Sequence, residues 1–204
     1  MNAGSIFERV YSAIKEDLLR GAYRPGDTLE PRQIGAQLFA SVTPVRDALH
    51  RLAGERLIEA TPHDGFRRPL LTENGLRDLY RWQEVLALAA LRMKKGFDCS
   101  DAGSACNPST ADAVERTRRI FAGVAALSSS AELQIAMLQT TDRLEPVRHL
   151  EPRFLPDLDQ ELRAIEEGLI DRDLTGVRHH LQRYRARRYR LAPHLVTALL
   201  SPAP

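Results

Sequence analysis

The chain has 204 residues and a formal net charge of +2, which excludes a protein that attracts its partner through total charge alone. Its hydrophobic content of 43% is ample for a buried core, and its length allows one large domain or two small ones. No apolar run approaches the roughly 18 residues of a membrane helix, and no signal-peptide pattern is found, so we expect a soluble cytoplasmic protein.

The first segment of the chain predicts an amphipathic helix over residues 6–21. Its apolar residues recur every four positions, which is the pattern of one buried helix face. These residues are Ile6, Val10, Ile14 and Leu18. Gly21 follows the last turn and is a natural end for the helix. A turn over residues 24–27, by its Pro-Gly-Asp composition, separates this helix from the next element.

Two shorter helices are predicted next. The second helix covers residues 31–39 and has a proline in its first turn. Its inward-facing residues are expected to be Ile34, Leu38 and Phe39. The third helix has Thr43 as a plausible N-cap and Pro44 as its first residue, and it ends near Ala53, just before a glycine.

Helical spacing divides the third helix into two faces. The inward face is apolar and consists of Val45, Ala48, Leu49 and Leu52; the outward face consists of Thr43, Arg46, Asp47 and His50. Arg46 can reach guanine or phosphate, and Thr43 can contact phosphate at the helix N-terminus. These outward residues, with His50, are candidate DNA contacts. The alternative is that Arg46 pairs with Asp47 or Glu30 on a solvated surface.

A two-stranded hairpin follows the third helix. Residues 57–60 predict a short strand, residues 61–65 the hairpin tip, and residues 66–68 the start of the return strand. Three helices and this wing make a winged helix-turn-helix domain of about 70 residues, which we place at 1–71. Arg67 and Arg68 extend a basic wing; they contact phosphate or, alternatively, protect a solvated edge strand by their charge. Their position favours DNA.

The third helix resembles the recognition-helix signature of GntR-type bacterial transcription regulators. A common form in that family is Ser-Arg-Thr-Pro-Val-Arg-Glu-Ala-Leu, and this chain reads Ser-Val-Thr-Pro-Val-Arg-Asp-Ala-Leu from Ser41. The resemblance covers residues 6–69 and includes the first helix and its turn. It implies DNA contacts at Arg32, Thr43, Arg46 and Gly65, where a glycine lets the wing backbone approach the minor groove.

The chain departs from the GntR pattern at three places. Val42 stands where the family has an arginine, so one base or phosphate contact is lost, although Val42 can still meet a thymine methyl. Glu30 replaces the usual capping serine before the second helix. The usual glycine of the turn between the helices falls near Phe39 or Ala40. These changes affect the expected operator sequence more than the fold.

From Thr72 onward the pattern is helical and carries no strand signal. Helices are predicted over 74–95, 110–127, 131–144, 157–170 and 173–191. Three prolines are expected to interrupt the chain, Pro146, Pro152 and Pro156, and Pro193 to end or kink the last helix before a short helical tail. Residues 72–204 therefore predict an antiparallel bundle of five to seven helices, and the whole chain is all-α dominated.

A GntR-type chain of this length with a helical second half resembles the FadR-like branch, with a divergent FCD-like C-terminal domain. That resemblance implies a homodimer and a small effector bound in the bundle. Many members also bind a divalent metal through one Asp and three His. Here no histidine lies between His63 and His149, and the family's final histidine falls near Tyr184. We predict no family-type metal site and no cofactor; His149, His179 and His180 are the alternative, as an unusual site.

Three aromatic residues are candidates for lining an effector pocket: Trp82, Tyr80 and Tyr184. Packing in the core is the commoner role of such residues and is the favoured alternative. The arginine-rich run 183–190 favours a solvated helix face. It can instead bind an anionic effector, with Arg188 as the candidate, or pair with the acidic face that contains Glu161, Glu166 and Glu167. An arginine inside the bundle would bind a carboxylate without metal.

The remaining patterns do not indicate an enzyme. There is no Gly-rich phosphate loop, no nucleophile elbow and no metal-ligand spacing. Cys99 and Cys106 lie in a Gly/Ser-rich stretch, and two cysteines provide too few ligands for a metal. Reduced thiols are the default expectation, with a loop disulfide as the alternative.

The function predicted from these patterns is a homodimeric, sequence-specific transcription regulator that reads an inverted repeat in double-stranded DNA. The resemblance to the family favours a repressor. An unknown effector, with carboxylates among the candidates, would shift the two DNA-binding domains between a spacing that fits the operator and one that does not. The alternative is a winged-helix protein-interaction module without specific DNA readout. Two observations support this alternative. Val42 replaces an arginine of the family, and the N-terminal domain is nearly neutral, since the first 71 residues hold ten Lys and Arg against nine Asp and Glu.

Overall fold

The computed structural model describes residues 3–61, 65–93 and 112–201. The chain divides into two compact units, Met1–Leu71 with Leu199–Pro204, and Thr72–Ala198. Cys99 and Cys106, the loop predicted around them and the tip of the wing lie outside the described residues. Within the described ranges, no helix combines the length and the apolar character needed to cross a bilayer.

The first unit is a winged helix-turn-helix. Its elements are α1 (Ala3–Arg20), β1 (Thr28–Leu29), α2 (Pro31–Gln37), α3 (Val42–Gly54), β2 (Glu59–Thr61) and β3 (Gly65–Arg67). The three strands form an antiparallel sheet in the order β1-β3-β2. In the central strand, Arg67 pairs with Glu59 of β2 on one side and Thr28 of β1 on the other.

The core of this unit forms where α1 packs across α3. The predicted stripe of α1 is buried at Val10, Ile14 and Leu18. The predicted inward face of α3 is fully buried at all four of its positions, Val45, Ala48, Leu49 and Leu52. Because one face of α3 is held in the core, the rotation of the helix about its axis is set and the opposite face points to solvent.

Three details predicted for this unit were wrong. Phe39 was expected inside but is 94% exposed, because α2 ends at Gln37 and Phe39 follows it in a left-handed conformation with φ 50°. Thr43 was expected as N-cap, but the helix begins earlier and its N-cap is Ser41. The wing has a third strand, β1, which is only two residues long and forms through pairing of Leu29 with the distant Phe66.

The second unit is a helical bundle, as predicted. Its elements are α4 (Glu73–Arg92), α5 (Ala113–Ala126), α6 (Ala131–Arg148), a short 3₁₀ helix (Glu151–Arg153), α7 (Leu158–Ile170) and α8 (Leu174–Leu200). Side-chain oxygens of Thr72, Asp112 and Ser130 accept backbone N–H hydrogen bonds at the starts of α4, α5 and α6, which explains where these helices begin. Helix α6 packs on both α4 and α5, and α5 also packs on α7.

Two prolines lie inside helices: Pro146, which was expected to interrupt the chain, and Pro193, which was expected to end or kink the last helix. Helix α6 continues through Pro146, and α8 continues through Pro193. Buried apolar residues flank both prolines: Leu144, Val147, Ala192 and Leu195. Burying an apolar side chain stabilises by about 1.5–3 kcal/mol, so several such residues offset the roughly 3 kcal/mol that an internal proline costs.

A buried ion pair lies in the core of the bundle. Arg188 on α8 and Glu151 are both almost completely shielded from solvent. The Arg188 Nη2 donates to Glu151 Oε2 at 2.7 Å, and its Nη1 donates to Glu161 Oε2 at 2.6 Å. The Tyr80 hydroxyl also donates to Glu151, to its Oε1 at 2.7 Å. Each of these buried charges therefore has an opposite charge in contact, which limits the cost of removing it from water.

Replacing Arg188 with methionine is expected to lower the free energy of unfolding by about 3–5 kcal/mol, because Glu151 would stay buried without its cation. Urea denaturation followed by circular dichroism measures this. Arg183→Met, at an exposed position of the same helix, is the matched control and should change the value by less than about 0.5 kcal/mol. Equal losses in the two variants would contradict a special role for the buried pair.

Candidate DNA interface and bundle core

The outward face of α3 presents polar side chains that the protein itself does not occupy. Thr43, Arg46 and His50 are all exposed. Among the described residues, no carboxylate forms an ion pair with Arg46, and this includes Asp47 and Glu30. The five N–H donors of this guanidinium are therefore available to a phosphate or to the edge of a guanine.

A second exposed arginine lies at the start of the neighbouring helix. Arg32 is in the first turn of α2, which packs on α3, and it too has no ion-pair partner in the described part of the chain. The first turn of α3 contains Thr43 and begins at Val42, which is partly exposed. Backbone N–H groups at a helix N-terminus favour a phosphate oxygen, so the start of α3 suits an anionic ligand.

His50 connects the recognition helix to the wing. Its ring contacts Phe66 of β3 edge-on, with 4.9 Å between the ring centroids. Phe66 is buried in the core, whereas His50 is exposed. The imidazole is thus held at one edge and solvent-facing at the other, which makes it available for a contact outside the protein.

The two wing arginines occupy different environments. Arg67 is exposed, and its Nε lies 3.1 Å from Glu59 Oε2 across the sheet, a surface pair that contributes at most about 1 kcal/mol. Arg68 is only 8% exposed, and its Nη1 has no partner among the described residues. Burial lowers the pKa of Arg68 to about 10. Of the two, Arg67 is the cation that a phosphate can reach, because Arg68 is shielded.

Gly65 begins β3 with a φ of 84°, a conformation that side chains disfavour. No heavy atom lies within 4 Å of the position that a Cβ would occupy there. Glycine is therefore required at this position by its backbone conformation and not by close packing. The wing tip just before it, which includes His63, lies outside the described residues.

In the bundle, the structure brings three of the four predicted effector residues together. The buried rings of Tyr80 and Tyr184 lie 6.4 Å apart, and the Arg188 guanidinium lies 3.3 Å from the centroid of the Tyr184 ring. Trp82 is 47% exposed and makes no ring contact with these residues. The arginine-rich run is not a uniformly solvated face, since Arg188 is buried in the ion pair with Glu151.

Sequence reasoning missed a second buried arginine, Arg148, at the end of α6. Its Nη2 donates to Gln83 Oε1 at 3.0 Å, and its Nη1 donates to the Thr141 carbonyl at 3.2 Å. The position gave no signal because α6 is buried on all sides around Pro146, so it lacks the alternation of polar and apolar faces that identifies inward residues.

The three histidines considered as an unusual metal site are spread along two helices. His149 is exposed at the end of α6, and the adjacent rings of His179 and His180 on α8 lie 5.9 Å apart. Within the described ranges, no group of three metal-ligating side chains comes together.

The sequence of the first unit matches a known family. Residues 6–67 fit the model of the bacterial regulatory proteins of the gntR family. The N-terminal unit is a GntR domain.

The Nta operon transcriptional regulator of Aminobacter aminovorans is 38% identical over 71 residues, which are 35% of this chain and 34% of that protein. The HTH-type transcriptional regulator McbR of Escherichia coli is 32% identical over 89 residues, 44% of this chain and 40% of that protein.

A third relative is the HTH-type transcriptional repressor GlaR of E. coli, which is 29% identical over 90 residues, 43% of this chain and 41% of that protein. The chain therefore matches under half the length of each of these relatives. Solved structures extend the likeness in fold to nearly the whole chain. E. coli McbR/YncC has a TM-score of 0.69 at 20% identity and covers 93% of this chain and 97% of its own.

A candidate GntR transcriptional regulator from Rhodococcus sp. RHA1 gives a TM-score of 0.74 at 21% identity, over 93% of this chain and 98% of its own. Identities this low indicate a shared fold. The arrangement of a GntR domain followed by a helical bundle is therefore the fold of known GntR regulators, as the resemblance implied.

Phe39 provides a test of the turn between α2 and α3 of the GntR domain. A non-glycine residue in the left-handed region costs about 1 kcal/mol or more, and an exposed side chain recovers little of this by packing. Phe39→Gly is therefore expected to raise the free energy of unfolding by about 1 kcal/mol, seen as a higher midpoint in urea.

Ala40→Gly is the matched control, because Ala40 has no positive φ and packs partly against the core. That variant should lose about 0.5–1 kcal/mol, since glycine there only adds freedom to the unfolded chain. A loss of stability in both variants would show that the Phe39 conformation carries no strain.

Proposed function

We propose that this protein is a transcription regulator that binds specific sequences in double-stranded DNA. The observation that supports this most directly is the placement of Arg46. It is exposed and has no ion-pair partner among the described residues, on a helix whose opposite face is fully buried. A rigidly held helix with a free guanidinium in its first turns is suited to the major groove.

The same proposal assigns roles to the two parts of the chain. Residues 1–71 bind DNA through Arg32, Thr43, Arg46, His50, Gly65 and Arg67, and residues 72–204 form a homodimer and bind an effector. Two copies related by a two-fold axis read an inverted repeat, because each GntR domain contacts one half-site. Chromosomal DNA as the partner places the protein in the cytoplasm.

We further propose that the regulator is a repressor controlled by a small molecule. The relative GlaR is named a transcriptional repressor, which supports repression here. Buried polar side chains inside the bundle support a ligand site, since a purely structural core is better built from apolar residues. The dimer would have two conformations that differ in the spacing of the GntR domains. An effector that binds one conformation more tightly than the other changes the fraction of the dimer that can bind DNA.

The test is selection from random DNA fragments with the purified wild-type chain and with Arg46→Ala. The wild type should enrich a palindromic motif. Loss of one good arginine contact costs about 1–3 kcal/mol, so the variant should bind that motif roughly 5- to 150-fold more weakly in a fluorescence anisotropy titration. Arg20→Ala, which removes a cation paired to Glu16 at the end of α1, is the matched control and should bind like the wild type.

Two results would contradict this proposal. No enrichment of any motif at low salt would favour the protein-interaction module over a DNA-binding regulator. Equal weakening by Arg46→Ala and Arg20→Ala would mean that only overall charge matters. A titration at several salt concentrations separates these cases, because phosphate contacts change the salt dependence of binding.

A further inference from the structure

Two exposed apolar side chains lie beside the start of α3. Among the described residues of the range 6–67, Phe39 and Val42 are the only large apolar side chains that remain exposed to solvent. A single exposed apolar residue is ordinary on a protein surface and needs no explanation. Here, however, both lie next to the surface that presents Thr43 and Arg46. Their position therefore connects them with the partner proposed for that surface.

The turn between α2 and α3 holds Phe39 outward. The Ala40 N–H donates to the Gly35 carbonyl at 2.9 Å, and Arg9 Nη1 donates to the Leu38 carbonyl at 2.9 Å. A Cβ at Gly35 would lie 2.8 Å from the Ala40 carbonyl oxygen, so the turn packs tightly against α2. Between these restraints Phe39 has its left-handed φ of 50°. Its ring stays in water in the free protein, and neither burial nor a relaxed backbone stabilises it there.

Val42 lies on the same side of α3 as Arg46. It is the first residue of the helix and precedes Arg46 by four positions, and residues four apart share a helix face. Side chains on a helix are directed toward its N-terminus, so Val42 points toward the turn that contains Phe39. The proposed DNA-binding surface thus begins with two apolar side chains and continues with a guanidinium.

The major groove of DNA offers one apolar group on its base edges. The C5-methyl group of thymine projects into the groove, whereas the other groups there are hydrogen-bond donors and acceptors. Phe39 and Val42 side chains have neither donor nor acceptor. Against a polar base edge they would remove water without replacing its hydrogen bonds, which costs free energy. Against a thymine methyl group they would bury apolar surface on both partners, which is favourable.

We propose that Phe39 and Val42 contact thymine methyl groups in each half-site of the operator. The apolar pair then discriminates thymine from cytosine, which lacks the methyl group, while Arg46 provides hydrogen bonds to guanine or phosphate. This inference rests on the proposed function, since it names residues that select the DNA sequence. It also explains an exposed, strained phenylalanine, because DNA would cover the ring that the free protein leaves in water.

Replacement of thymine by deoxyuridine tests this inference directly, because it removes the methyl group and keeps the base pair. The probe is the palindromic motif enriched by the full-length wild type, synthesised with each thymine replaced in turn. Fluorescence anisotropy measures the affinity for each probe. Loss of one buried methyl group is expected to weaken binding about fourfold at a contacted position. Replacement of a thymine in the DNA that flanks the motif is the control and should leave the affinity unchanged.

Phe39→Gly and Val42→Ala should each bind the thymine motif about fourfold more weakly than the wild type. At the position that the missing side chain contacts, each variant should bind thymine and uracil equally. Because Phe39→Gly is expected to be more stable than the wild type, its weaker binding cannot come from poor folding. Ile170→Ala removes an exposed apolar side chain at the end of α7. It is the matched control and should keep the sensitivity of the wild type to uracil.

An enriched motif that no uracil replacement weakens would overturn this inference and leave the proposed function intact, since the protein would still select a sequence. An enriched motif without thymine would do the same. Sensitivity to uracil that persists at every position in either Phe39→Gly or Val42→Ala would also overturn it, because other residues would then contact the methyl groups. Absence of binding to any DNA would overturn this inference and the proposed function together.

Discussion

The free-energy cost of removing a guanidinium from water explains the different environments of three arginines in this protein. Arg188 is buried and is held by Glu151 and Glu161, so its charge is compensated inside the bundle. Arg46 on the GntR domain remains in water and has no ion-pair partner in the described part of the chain, so it can exchange hydration for contacts with DNA. Arg148 is buried and has no carboxylate within ion-pair distance among the described residues; the Gln83 side chain and the Thr141 carbonyl accept its hydrogen bonds. A buried cation held only by neutral acceptors stabilises a fold less than one held by carboxylates.

The proposed DNA-binding surface depends on packing that lies behind it. Helix α3 presents Thr43 and Arg46 outward only because Val45 and Leu49 are buried against α1. His50 extends this restraint to the wing through its contact with Phe66. Side chains on such a rigid frame lose less conformational freedom when they bind, which favours specific over loose association.

The core of the bundle also departs from what the resemblance to FadR-like regulators implies. The resemblance to FadR-like regulators places a metal-ligating histidine near Tyr184, where this chain has an aromatic ring between two arginines, Arg148 and Arg188. An arginine can hold a carboxylate directly, by charge and by hydrogen bonds, without a metal to bridge them.

Most of the helices, the inward face of α3 and the GntR signature around Arg46 could be predicted from the amino-acid sequence, because helical periodicity is a local property that a few neighbouring residues decide. The pairing of β1, the exposure of Phe39, and the ion pair between Glu151 and Arg188 could not be predicted in this way. Nor could the position of Pro146 inside a helix. Each of these depends on residues that are distant in the chain, and burial energy summed over many contacts there outweighs local preference.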